Sequence, residues 1–105
     1  MNKASLEPLG EGRFRVSGIL DTGTATAVLK QSDAHFASAA QIEIDLAGVT
    51  ESDSAGLALL IEWLRTARQR GQRIRFMNVP GQIRALAQIS EVDELFCANA
   101  AEAAQ

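Results

Sequence analysis

The chain has 105 residues, 47% of them apolar and 22% charged, with a net charge of −3. That length suits one domain with a modest core, and the composition excludes a disordered chain. The acidic balance argues against nucleic acid as the main partner, since phosphate contacts need a basic surface.

Cys97 is the one cysteine, so an internal disulfide is excluded and a reducing compartment fits. The opening residues Met1 to Ser5 lead into no apolar stretch, so no secretory signal is expected. No apolar run approaches the ~20 residues of a membrane span. The expected location is the cytoplasm, with any membrane link made through a partner.

In chain order, Ala4 to Leu9 reads as a short strand, and Gly10-Glu11-Gly12 as a tight hairpin. Arg13 to Ser17 alternates, with Phe14 and Val16 on the buried side, and Gly18-Ile19-Leu20 carries that strand to its end. Asp21 and Thr22 are both good caps for a helix whose inner face is Ala25, Val28, Leu29, Ser32 and Phe36. Gln41 to Leu46 alternates and predicts a strand.

The central helix is predicted over roughly Ser54 to Arg70. Asp53 and Ser54 are capping residue types, Leu57, Leu60, Ile61, Leu64 and Ala67 follow a helical period, and Gly71 suits the exit. Arg73 to Met77 is a strand with Ile74 and Phe76 inward. Pro80 is placed in the first turn of a third helix with core face Ile83, Leu86 and Ala87. Val92, Leu95 and Phe96 can pack a last short element, and Ala98 to Gln105 is an alanine-rich tail. Strands alternate with helices after an opening hairpin, which predicts an α/β domain with a mixed sheet.

Known catalytic patterns are missing. His35 is alone, no Cys/His cluster has metal spacing, and no phosphate-binding glycine loop occurs. Glu51 and Asp53 are close carboxylates with no partner group in a recognisable pattern. No catalytic residue, metal or cofactor is therefore expected, and the chain is not read as an enzyme.

The central helix carries a second stripe, Ala55, Leu59, Trp63, Thr66 and Arg70, on roughly the opposite side from the first. An exposed tryptophan is costly, because ~150–250 Å² of ring surface stays wet. Trp63 either folds back on a neighbouring helix of the same domain or centres a protein interface. The second reading is preferred, since tryptophan and arginine are enriched at interface hot spots. The stripe starts at Asp53-Ser54-Ala55-Gly56, so cap and stripe would form one partner-binding surface. Ser54 is either a plain N-cap or a hydroxyl that touches a partner or is phosphorylated; phosphate there would add charge beside Asp53 and Glu51. Arg65, Arg68, Arg70, Arg73 and Arg75 form a basic run. It is read as the cationic end of a helix and a solvated strand, with an acidic partner surface as the alternative.

Leu46 to Val49, then Asp53-Ser54-Ala55-Gly56-Leu57, the long helix, Gly71, and the strand Ile74 to Met77 resemble a STAS domain, the family of anti-sigma factor antagonists. Val79, Ile83, Leu86, Ile89 and Val92 to Phe96 fit its usual ending. The resemblance implies a mixed sheet of four to five strands with three to four helices mainly on one face, and a single STAS domain over residues 1–97. It also implies two roles. Asp53 to Leu60 is similar to the helix start of small STAS subunits of Mla-type phospholipid ABC transporters, which implies docking on the cytoplasmic ATPase subunit through Ser54. Anti-sigma factor antagonists instead bind a serine kinase/anti-sigma factor and are switched by phosphorylation just before the motif glycine. Alanine stands there in this chain, at Ala55, which leaves Ser54 as the candidate phosphosite.

Overall fold

A computed structural model describes residues 4–89. Four strands form one sheet in the order β1-β2-β3-β4: β1 Ala4–Gly10, β2 Arg13–Leu20, β3 Gln41–Ser52 and β4 Arg73–Met77. β1 and β2 are antiparallel, while β2, β3 and β4 are parallel. The parallel crossovers run through α1 Thr22–Phe36 and α2 Ser54–Gln69, and α3 Gly81–Ile89 follows β4. α1 packs on α2 and α2 on α3, so the three helices form one layer over one face of the sheet. The α/β class and the strand and helix numbers agree with the expectation. The predicted element at Val92 to Phe96, the tail and Cys97 lie outside the described residues.

The hairpin forms because Gly10, Glu11 and Gly12 all take positive φ, at 92°, 56° and 77°. A Cβ on Gly12 would also collide with the Gln41 carbonyl. α1 is capped by Asp21 rather than Thr22. The Asp21 carboxylate accepts the backbone N–H of Gly23 and of Thr24, each at 3.0 Å, and the Thr24 hydroxyl receives the Asp21 N–H at 2.8 Å. This reciprocal pair satisfies N–H groups that a helix start leaves orphaned.

β3 runs six residues past its predicted end at Leu46, reaching Ser52. Two irregularities in its pairing with β2, between Arg15 and Ser17 and between Gly18 and Ile19, let pairing continue where the alternation of side chains breaks. Gly48 makes this geometry feasible, since a Cβ there would stand 2.7 Å from Ser17 Cβ. α3 starts at Gly81, so Pro80 lies just ahead of the helix, and its carbonyl accepts the Arg84 N–H at 3.0 Å.

The core lies between the sheet and the helix layer. Val16, Leu20, Ile44, Leu46, Leu60 and Ile83 are wholly buried there. The opposite sheet face is polar. Glu43 bridges Arg13 at 3.7 Å and Arg75 at 3.5 Å, and Glu7 meets Arg15 at 3.9 Å. Asp45 accepts the Asn78 amide at 3.0 Å and the Ala47 N–H at 2.9 Å, which together hold its carboxyl below the ordinary value, helped by Arg15.

Candidate functional site

β3 ends at Ser52 and α2 begins two residues later. Asp53 N–H donates to the Leu20 carbonyl at 3.2 Å, which fixes the exit of β3 beside the exit of β2. Asp53 then caps α2, its carboxylate accepting the Ala55 N–H at 2.8 Å. Ser54 is therefore the first helical residue and not the cap. It is exposed, and its hydroxyl bonds nothing among the described residues. This corrects the reading of Ser54 as an N-cap and leaves its oxygen available to solvent.

Gly56 has a packing reason. A Cβ there would collide with Ser52 Oγ and lie 3.3 Å from Ile83 Cδ1. The loop, α2 and α3 therefore close on one another at that glycine. Gln82, on the first turn of α3, accepts the Ser52 N–H at 2.8 Å and ties α3 to the same rim. Neither Gln82 nor Ser52 was singled out from sequence. A glutamine near a proline-glycine turn carries no local signal of what it bonds.

The proposed stripe on α2 does not face outward. Leu59 and Trp63 are buried, at 3% and 2% exposure. Trp63 packs on Phe36 with ring centres 5.6 Å apart and stacks on Phe76 at 6.4 Å, and Phe36 meets Phe14 edge-on at 4.8 Å. The indole Nε1–H donates to Ser32 Oγ on α1 at 2.8 Å. Arg70 reaches across the same seam to Asp33 at 3.0 Å, and Thr66 is half-buried along it.

The second stripe is thus the contact between α2 and α1, and the docking surface centred on Trp63 is corrected. At about 100° per residue, the buried positions Leu57, Gly56, Leu59, Leu60, Trp63, Leu64 and Ala67 span about 160° of the α2 circumference. Two opposed stripes fuse into one wide face because α2 is the middle helix of the layer. What remains open to solvent on α2 is Ser54, Ala58, Arg65, Arg68 and Gln69, with Ala55, Ile61, Glu62 and Thr66 half-exposed.

The basic run is likewise divided. Arg65 pairs with Glu62, Arg70 with Asp33 and Arg75 with Glu43, on three different surfaces. Among the described residues no group of His, Cys, Asp and Glu could hold a metal, and no helix is long and apolar enough to cross a membrane.

A protein-family model described as MlaB, STAS domain, matches residues 7–97. The chain belongs to the STAS domain family. Among solved structures it is similar to the anti-sigma factor antagonist SpoIIAA in its unphosphorylated form, with 22% identity, a TM-score of 0.65, and coverage of 85% of this chain and 81% of that one. A sulfate transporter family protein from Wolinella succinogenes gives 19% identity and a TM-score of 0.65, over 86% of this chain and 74% of that one. An anti-sigma factor antagonist from Mycobacterium paratuberculosis gives 25% identity and a TM-score of 0.65, over 87% and 79%. No curated protein matches this chain. The STAS assignment fits the rim: its Asp-Ser-Ala-Gly segment stands at the carboxyl end of a central strand, where open α/β sheets present their functional groups.

Proposed function

We propose that this STAS protein is a non-catalytic accessory subunit that docks on the cytoplasmic ATPase of a phospholipid-transporting, Mla-type ABC transporter and supports lipid asymmetry. Such a protein would be cytoplasmic and would reach the inner membrane through the transporter. The observation that carries the reading is the exposed hydroxyl of Ser54, which bonds nothing among the described residues, on a start of α2 held by the Asp53 cap and by Gly56 packing. The family match named for MlaB supplies the transporter context. The docking surface is Asp53, Ser54 and Ala55 with Ala58 on the next turn; Gly56 shapes it from beneath, and Leu59, Trp63, Thr66 and Arg70 support it from within the seam with α1.

Co-purification with the ABC ATPase tests this. Ser54→Arg places a long cation on an exposed first turn that a fold of this kind tolerates, and is expected to abolish co-purification while leaving the unfolding midpoint unchanged. Binding retained by Ser54→Arg rejects the surface.

A second reading is favoured by the same exposed hydroxyl and by the likeness to anti-sigma factor antagonists. In it, a serine kinase/anti-sigma factor phosphorylates Ser54, and the added charge beside Glu51 and Asp53 repels the partner. Intact-mass measurement after incubation with the kinase shows one phosphate adduct, lost in Ser54→Ala, if this holds.

A further inference from the structure

Ser32 is the one buried polar residue among the described residues, at 1% exposure. Its hydroxyl is used in both directions: it accepts the Trp63 Nε1–H at 2.8 Å and donates to the Leu29 carbonyl at 2.8 Å. Around it the seam between α1 and α2 buries Val28, Phe36, Leu59 and Ala67, and turns polar only at its exposed end, where Arg70 meets Asp33. Apolar contact is non-directional and constrains helix roll only through shape. A hydrogen bond between two buried side chains is directional, and losing either partner strands a polar group. Fixing register is the best-attested role of a buried polar pair in an interface core, and Arg70–Asp33 lies at the exposed end of this one.

We infer that the Ser32–Trp63 hydrogen bond is a register latch that sets the roll and axial position of α2 against α1, and thereby the direction in which Ser54 faces. Ser54 lies about 13 Å up the α2 axis from Trp63, at about 1.5 Å per residue, on a helix with no glycine or proline after Gly56 to absorb a twist. A change of roll at Trp63 is therefore carried to the first turn. Ser32 and Trp63 act as positioning residues, and the consequence for docking rests on the surface proposed above.

The test compares Ser32→Ala with Val28→Ala, which empties space one turn earlier on the same buried face of α1 but breaks no hydrogen bond. Both are expected to lower the unfolding midpoint by roughly 5–15 °C. Backbone amide resonances of Asp53 to Gly56 shift or broaden in Ser32→Ala and stay in place in Val28→Ala. Trp63→Phe, which removes the donor instead of the acceptor, gives the same resonance change and serves if Ser32→Ala does not fold. Unmoved resonances in the latch variants, or equal movement in Val28→Ala, overturn the latch. With the ATPase present, Ser32→Ala binds at least tenfold more weakly than Val28→Ala; equal affinities overturn the link to docking. Should the wild-type chain itself not bind the ATPase, the docking surface falls, while the resonances still decide the latch.

Discussion

Trp63 has three aromatic or polar anchors inside the domain, so its truncation acts on stability. Trp63→Ala is expected to cost about 3–5 kcal/mol, the usual loss for emptying a large aromatic site. It also strands the Ser32 hydroxyl as an unmatched acceptor. Denaturant unfolding measures this, and a change below about 1 kcal/mol would mean that the ring contributes little to the core. Asp45 is the residue with a legible acid response. Its folded pKa lies below its ordinary value of 3.8, chiefly through the Asn78 amide, then through the Ala47 N–H and Arg15. The contribution is present above pH 3.8 and is lost as pH falls through the lower folded value. Asn78 sits at φ 56°, so Asn78→Gly removes the amide without straining the turn. The variant is expected to be less stable than wild type near neutral pH, with the gap closing as pH falls below 3.8.

The elements of this fold turn on a few glycines, and two of them separate contact from conformation. Gly56→Ala drives a methyl into Ser52 Oγ and is expected to cost about 1–3 kcal/mol, as overpacking does. Adding Ser52→Ala recovers most of that loss, because the two changes share one contact. Gly71, at φ 69° with open space around its missing Cβ, costs about 1–2 kcal/mol on change to alanine through backbone strain alone, and no second-site change relieves it. Thermal unfolding of the three variants reads both. These elements also show where sequence reasoning stopped. The α2 boundaries, the Asp21 cap and the Ala25, Val28, Ser32, Phe36 face follow from period and capping chemistry. The reach of β3 to Ser52 does not, because bulges erase the alternation that marks a strand. The α2 stripe was legible as apolar, but angular position on a helix says only that a face needs cover. Whether α1 or another protein covers it depends on α1 lying next to α2, and that is a property of the crossovers. The resemblance to STAS domains carries the fold, while the exposed Ser54 hydroxyl follows from Asp53 taking the cap.

On the scale of the whole molecule, one face of the sheet is covered by helices and the other is a grid of paired charges. Arg13, Glu43 and Arg75 form one row of it, all at least a quarter exposed. Exposed pairs of this kind contribute about 0–1 kcal/mol and weaken with salt. Glu43→Gln is therefore expected to change stability by under about 1 kcal/mol, and by less still in 1 M salt. A larger loss would mean that the grid, and not the core, holds the sheet flat against the helices.

The two ends of the parallel strands differ in kind. Leu20 and Ser52 finish side by side at the rim that carries Ser54, and Met77 stops short of it beside Asp45, whereas the turns at Gly10–Gly12, Ala37–Ala40 and Gly71–Gln72 gather at the other rim. A fluorophore, an affinity handle or an inserted reporter belongs on that far side. Grafted there, it would leave the serine end unobstructed, so the molecule can be tethered to a surface with its business end always pointing away.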